Sequence, residues 1–179
     1  MTGCCRHLFL GRVKLEEYKL EQQIHTLPLS LLLGGVAYID KRSIDPVRVF
    51  SYIDTHKDFP GTSLPDPGRV RLQLEELAAQ FDAVLVITVS GRLSGTYQIV
   101  RKEAERLVKT GKKIAVIDSL LNSGAQGLLV KKAAALLDEG KTLEETVASI
   151  MEMRARTRIY VALHSIANAI KGGRVPKTL

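Results

Sequence analysis

Residues 83–89 read AVLVITV, an unbroken run of aliphatic and β-branched side chains that decides the fold class. A strand with one face in water alternates polar and apolar residues, and this run does not, so it predicts a strand buried on both faces. The same character returns in residues 113–117 (KIAVI) and 158–163 (RIYVAL), which predict two further strands. Strands of this kind are typical of a parallel sheet that helices cover on both sides.

Helical patterns lie between these predicted strands. From residue 95 to 109 the apolar residues recur at steps of three and four, and from 123 to 138 they form a broader face that ends before Gly140. Strands that alternate with helices imply crossover connections between parallel neighbours. The sequence therefore predicts an α/β fold with a mainly parallel sheet flanked by helices.

Capping patterns in the sequence predict the N-termini of three helices. Asp45-Pro46 and Asp66-Pro67 each place an aspartate at a cap position and a proline at the first helical position. Thr142 and Glu145 have the spacing of a capping box. We therefore expect helices to begin at these three places.

The first third of the chain is less regular. Residues 24–33 and 36–40 are predicted as strands joined at Gly34-Gly35, a dipeptide suited to a two-residue hairpin. Pro28 cannot donate a ladder hydrogen bond, so it is expected at a sheet edge or at a strand start.

Composition limits the class of protein. With 45% hydrophobic and 25% charged residues among 179, the chain resembles an ordinary soluble globular protein. None of its apolar runs approaches the roughly 18 residues needed to cross a bilayer. The two cysteines, Cys4 and Cys5, are adjacent, which argues against a disulfide framework and favours a reducing compartment. We therefore expect a cytoplasmic protein.

The net charge of +7 is concentrated near the C-terminal end. Six basic residues stand there against the single acid Glu152: Arg154, Arg156, Arg158, Lys171, Arg174 and Lys177. Two interpretations stay open, a solvated face and a surface that contacts an anionic membrane. Nucleic acid is disfavoured, because the sequence contains no zinc-ligand spacing, aromatic RNA-binding signature or helix-turn-helix pattern.

Two short loops carry the candidate site. The first, GTSLP, lies just before the helix expected at Asp66, and the second, SGRLSGTY, begins where the 83–89 strand ends. Ligands of open parallel sheets bind outside the carboxyl ends of the strands. A glycine-containing loop that enters a helix presents backbone N–H groups and a positive dipole end, so it favours an anion.

Hydroxyl groups in these loops are the candidate ligands. Taken alone, Thr62 is explained as a turn residue and Ser94 as the N-cap of the next helix. Together, the two loops offer hydroxyls to one carboxylate. We therefore assign ligand binding to Thr62, Ser63, Ser94 and Gly95, and assign no catalytic or metal-binding residue.

Five segments resemble the DegV family of bacterial fatty-acid-binding proteins in order and spacing, and the resemblance extends from about residue 24 to residue 175. They are TSLPDPG (62–68), VSGRLSGTYQ (89–98), KKIAVIDS (112–119), RTRIYVAL (156–163) and KGGRV (171–175). The resemblance implies an α/β carrier, without a cofactor, whose Thr62 and Ser94 bind the carboxylate of one long-chain fatty acid. It also implies that a separate ATP-dependent fatty acid kinase subunit receives the acid and makes acyl-phosphate for phospholipid synthesis. In accord with this, the chain has no P-loop motif.

The chain departs from the family pattern in three ways. It opens without the usual strand and Asp-Ser-Thr turn, so the first strand is expected to be missing or replaced. Gly91 stands where the family commonly has a second serine. The chain stops soon after Arg174, where the family continues into a second domain. We therefore expect an atypical segment at 1–23, the lipid-binding domain at 24–165, and the truncated start of a second domain at 166–179.

A serine hydrolase is the alternative function, because Ser94 follows a predicted strand and precedes a helix as a nucleophile would. The motif is G-x-x-S-G, however, whereas a nucleophile elbow requires G-x-S-x-G. The candidate bases His25, His56 and His164 have no acidic partner that can be identified from the sequence.

Overall fold

The computed structural model of the chain describes residues 5–9, 24–40, 42–56, 58, 60–162 and 170. Its elements, in chain order, are β1 (Cys5–Phe9), β2 (Ile24–Thr26), β3 (Ser30–Leu33), β4 (Val36–Ile39), α1 (Pro46–Thr55), β5 (Gly61–Ser63), α2 (Pro67–Gln80), β6 (Ala83–Thr88), α3 (Thr96–Val108), β7 (Ile114–Asp118), α4 (Ser123–Asp138) and α5 (Leu143–Arg156). The chain divides into two compact units. The first unit comprises Met1–Leu27 and Pro65–Ile159, and the second comprises Pro28–Leu64 and Tyr160–Leu179.

The first unit is built on a parallel sheet with the strand order β2-β1-β6-β7. Every residue of β6 is buried, which confirms the prediction made from the AVLVITV run. Phe9 of β1 and Ile87 of β6 are register partners, as are Thr88 of β6 and Asp118 of β7. The three strands therefore end at the same edge of the sheet.

Both faces of β6 are covered by helices. Val84 and Val86 belong to a buried cluster with residues of α2 and α3, among them Leu74 and Val100. Their neighbours Leu85 and Ile87 belong to a second cluster, with Leu129 of α4 and Ile150 of α5. Since successive side chains of a strand point to opposite faces, the sheet lies between two helical layers. This confirms the predicted α/β class.

The backbone of β1 corrects one expectation. The first strand, expected to be missing or replaced, is not missing, because residues 5–9 form a strand between β2 and β6. His7 is the register partner of Ile24 on one side and of Leu85 on the other. The segment before residue 24 therefore contributes an inner strand of the parallel sheet.

The second unit contains an antiparallel sheet with the order β4-β3-β5. Gly34 and Gly35 join β3 to β4 with φ values of 56° and 80°, which confirms the hairpin. These left-handed values are what a two-residue turn between right-twisted strands requires, and glycine adopts them without steric cost. The core of this unit contains Leu33, Ile44 and Val49.

Two strand predictions were wrong. Residues 24–33 form two strands in different sheets, with Pro28 in the connection between them. Residues 158–162 form neither helix nor strand, and Tyr160 is 93% exposed. A β-prone segment becomes a strand only where a neighbour supplies backbone partners, and no strand in the described ranges pairs with 158–162.

The three predicted helix starts are confirmed. The Asp45 side chain accepts a hydrogen bond from Arg48 N at 2.8 Å, and Asp66 does the same for Arg69 N at 2.8 Å. Thr142 and Glu145 form the reciprocal capping box that opens α5.

None of the helices that the structure describes is long and apolar enough to span a membrane. The proposed start of a second domain, residues 166–179, lies outside the described residues except for Ile170, which is helical. The domain boundaries drawn from the sequence stay a prediction.

Candidate ligand-binding site

Two loops meet at the carboxyl end of the parallel sheet. We call residues 89–95 the β6 loop and residues 119–122 the β7 loop. Ser90 N donates to Leu121 O at 2.8 Å, and Ser119 N donates to Thr88 O at 3.2 Å. Neighbouring parallel strands thus deliver two adjacent loops to the place where such sheets bind ligands.

A tight turn shapes the β6 loop. The carbonyl of the buried Ser90 accepts from Leu93 N at 2.9 Å and from Ser94 N at 3.1 Å. The Ser90 hydroxyl accepts from Arg92 N at 3.3 Å. This turn fixes the backbone direction at which Ser94 and Gly95 enter α3.

Gly95, rather than Ser94, is the N-cap of α3, so the position predicted for Ser94 was wrong by one residue. The Ser94 hydroxyl instead accepts from Thr96 N at 3.3 Å and lies 2.8 Å from the Thr96 hydroxyl oxygen. Gly95 has no side chain with which to cap the helix, and the Ser94 hydroxyl accepts the N–H of Thr96, the first residue of α3. The first turn of α3 therefore keeps donor N–H groups and a positive dipole end beside a serine hydroxyl, an arrangement that favours an anion.

Asp118, which was not among the predicted site residues, links the two loops. Its Oδ1 accepts from Gly91 N at 3.0 Å and from Leu120 N at 2.9 Å. Arg154 Nη1 donates to the Asp118 carbonyl at 2.7 Å. A Cβ added at Gly91 would lie 2.8 Å from Asp118 Oδ2, so the glycine gives this carboxylate its room.

The β7 loop has a strained backbone. Leu120 in this loop and Ser123, the first residue of α4, have φ values of 56° and 47°, in the left-handed region that non-glycine residues rarely adopt. The Oδ1 atom of Asn122 is buried and has no hydrogen-bond partner among the described residues. Strain of this kind concentrates at functional sites. The sequence did not predict this strain, because left-handed φ values are usually expected at glycine or asparagine and these positions are Leu120 and Ser123.

The two hydroxyl residues of the first predicted loop lie in the second unit, on β5. Thr62 is exposed and is the register partner of Leu31, while Ser63 is partly buried and is the register partner of Ser30. Since side chains alternate along a strand, these two hydroxyls lie on opposite faces of the antiparallel sheet. They are therefore not equivalent as ligand groups.

The basic residues near the C-terminal end have partners in several cases. Arg154 binds the Asp118 carbonyl, Arg156 pairs with Glu152 at 3.1 Å, and Arg158 donates to two backbone carbonyls. Lys171, Arg174 and Lys177 lie outside the described residues.

The family model for an uncharacterised protein of the DegV family matches residues 13–179. The chain belongs to the DegV family. The match covers both candidate loops and all the segments on which the resemblance was based.

Relatives of this DegV chain are known from sequence and structure. A DegV domain-containing protein of Staphylococcus aureus is 31% identical over 163 residues, which cover 91% of this chain and 57% of that protein. A DegV family protein from Thermus thermophilus, described as binding fatty acid, has a TM-score of 0.76 and 27% identity, covering 84% of this chain and 53% of its own. DegV of Bacillus subtilis, described as a fatty acid binding protein, has a TM-score of 0.75 and 25% identity, covering 86% and 54%. The chain thus spans little more than half the length of these relatives.

The described part of this DegV chain offers no base to Ser94. In the described residues, the hydrogen-bond partners of its hydroxyl both belong to Thr96. A serine nucleophile requires a base within hydrogen-bond reach, so this contact pattern does not favour the hydrolase alternative. His164 lies outside the described residues. Those residues also contain no group of three or more His, Cys, Asp or Glu side chains that could hold a metal ion.

Proposed function

We propose that this chain binds a long-chain fatty acid by its carboxylate and acts as a carrier rather than an enzyme. The observation that supports this most is the start of α3, where the N-cap Gly95 has no side chain and the Ser94 hydroxyl lies at the first helical N–H, at the carboxyl end of a parallel sheet. The structural neighbours from Thermus thermophilus and Bacillus subtilis, described as fatty-acid-binding proteins, indicate which anion to expect.

The physical roles of head group and tail differ. Hydrogen bonds to a charged carboxylate are short and about twice as strong as neutral ones, so Ser94 and the N–H groups at Gly95 and beyond orient the acid. Each buried methylene of the tail contributes about 0.8 kcal/mol, so the tail supplies most of the affinity. Selectivity for an acid over other lipids therefore belongs to the β6 loop.

Thr62 and Ser63, in the second unit, stay predicted ligand residues. The family resemblance gives the carboxylate contact to Thr62, and the alternation along β5 means that Ser63 serves a different face of its sheet. We propose both hydroxyls as ligand groups, with Thr62 making the carboxylate contact that the resemblance implies.

The bound acid is proposed to be phosphorylated by a separate fatty acid kinase subunit in the cytoplasm, which yields acyl-phosphate. In this scheme the carrier supplies orientation and exclusion of water, while the kinase supplies ATP. Contact with an anionic membrane surface is also proposed, and it now rests on Lys171, Arg174 and Lys177, because the other three basic residues have partners within the fold.

Native mass spectrometry of the chain after expression in bacteria tests the proposal. We expect one fatty acid per chain, and we expect Ser94→Ala to lose it more readily, since a hydrogen bond to a charged group is worth about 1.5–3 kcal/mol. Ser149→Ala, on α5, is the matched control and should retain the lipid. A ligand-free chain that also ignores added palmitate would overturn the proposal.

A further inference from the structure

Asp118 is the residue whose side chain joins the two loops of the candidate site. One oxygen, Oδ1, accepts a hydrogen bond from each loop, at 3.0 Å from Gly91 N and at 2.9 Å from Leu120 N. Because hydrogen bonds to an ionised acceptor are strong and directional, this oxygen sets the separation of the two backbones.

The effect reaches Ser94 through a short stretch of backbone. Gly91 follows Ser90, whose carbonyl accepts the N–H groups of Leu93 and Ser94. Ser90 N itself donates to Leu121 O at 2.8 Å. A displacement of Gly91 therefore turns the segment that aims the Ser94 hydroxyl and the start of α3.

Asp118 is also held in place from other sides. Arg154 Nη1 donates to its carbonyl at 2.7 Å. The space beside its Oδ2 is narrow enough that a Cβ at Gly91 would lie 2.8 Å away. The carboxylate thus occupies a confined position, and it accepts hydrogen bonds from the backbone N–H groups of Gly91 and Leu120.

We propose that Asp118 is a positioning residue of the carboxylate site, an inference that rests on the proposed function. Its side chain orients the β6 loop so that Ser94 and the first turn of α3 meet the fatty-acid head group. It does not touch the ligand, since a carboxylate facing another carboxylate would repel it.

The test separates head-group recognition from tail binding. Displacement of a fluorescent fatty acid by palmitic acid and by 1-hexadecanol gives two affinities, whose ratio measures head-group selectivity independently of the tail. In the wild-type chain we expect palmitic acid to bind at least about tenfold more tightly, as expected for hydrogen bonds to a charged group.

Asp118→Ala should lower this ratio towards the value of Ser94→Ala while the affinity for hexadecanol changes little. Asp118→Asn retains an oxygen acceptor and should keep most of the selectivity. The double variant Asp118→Ala/Ser94→Ala should have the same ratio as Ser94→Ala alone, because residues that act through one another are not additive. Asp82→Ala, at the opposite end of β6, is the matched control and should behave as the wild type.

If Asp118→Ala does not fold, Asp118→Glu tests the positioning role in its place. Its longer side chain keeps the charge but moves the oxygen away from the N–H groups of Gly91 and Leu120, so it should also lower the ratio. A wild-type ratio in either variant would overturn the positioning role, and so would an equal loss of affinity for acid and alcohol. A wild-type chain that binds both lipids equally would instead overturn the proposed function, and the inference with it.

Discussion

At the scale of single residues, Leu120 has an unexpected backbone conformation. Its φ of 56° costs a residue with a Cβ about 1–2 kcal/mol, and its side chain is 50% exposed, so burial of this leucine does not account for the conformation. Hydrogen bonds on either side of Leu120 hold the conformation instead. Leu120 N is bonded to Asp118 Oδ1, and Leu121 N to the Ser119 hydroxyl. The β7 loop is thus held in a conformation that its own sequence does not prefer.

We predict that Leu120→Gly is much better tolerated than Leu128→Gly. Leu128 is a leucine of similar exposure, 54%, on α4, where glycine costs about 1 kcal/mol relative to a good helix former. At Leu120 the glycine relieves the left-handed strain instead. Chemical denaturation should therefore place Leu120→Gly at least about 1 kcal/mol above Leu128→Gly in stability. Equal losses would mean that the loop conformation is not strained.

The sequence identified Ser94 and Gly95 but not Asp118. The first pair lies in a loop that begins at the end of an evident strand and enters a helix, so position alone marked it. Asp118 accepts one of its hydrogen bonds from Gly91, 27 residues away, and no short sequence pattern predicts such a contact. The available signal was that Asp118 ends the strand next to β6, where parallel strands deliver their loops to one edge.

At the scale of elements, α5 begins with a capping box that ties its stability to pH. The backbone N–H of Thr142 donates to the Glu145 carboxylate at 2.8 Å, and this bond is the main cause that lowers the pKa of Glu145. A lowered pKa means that the contribution to stability is present above the ordinary pKa of a glutamate. The contribution is lost as the pH falls through the lowered pKa.

We predict that Thr142→Ala costs about 1 kcal/mol of stability at neutral pH, the usual value of an N-cap. Glu145→Gln should keep the reciprocal bond but remove its titration, so the wild type should lose stability relative to Glu145→Gln as the solution is acidified. Denaturation across a pH series measures both effects. Glu144→Gln removes the neighbouring charge and leaves the bond between Thr142 N and Glu145 in place. If its stability changed with pH as that of Glu145→Gln does, the bond would not be the cause of the pH dependence.

The elements were predicted well where one local signal sufficed. The bounds of α4 and the starts of α1, α2 and α5 followed from caps and periodicity, and β6 followed from its composition. Residues 24–33 were misjudged because an apolar run does not say which sheet each part joins. Residues 158–162 were misjudged because strand formation depends on a neighbour that no local pattern specifies.

At the scale of the whole molecule, each unit has its own buried core. Leu85 is fully buried in the first unit, and Leu33 is 5% exposed in the second. Truncation of a buried leucine to alanine costs about 2–5 kcal/mol, and regions with separate cores open separately. The two units should therefore respond separately to core truncation.

We predict that Leu33→Ala accelerates hydrogen exchange in β3 and β4 while the amides of β6 exchange as in the wild type. Leu85→Ala, the matched change, should accelerate exchange in β6 and β7. Exchange measured peptide by peptide with mass spectrometry distinguishes the two patterns. An equal acceleration of β6 by both variants would indicate one cooperative unit.

The path of the chain through the two units has a consequence for how such proteins diversify. The chain leaves the first unit after Leu27 and returns to it at Pro65, so residues 28–64 are an insertion within the parallel-sheet unit. An insertion with its own core can accept substitutions and changes of length without disturbing the register of the parallel strands. Thr62 belongs to this insertion, whereas Ser94 and Asp118 belong to its host. Substitutions around Thr62 can therefore change that hydroxyl and its surroundings without shifting the strands that carry Ser94 and Asp118.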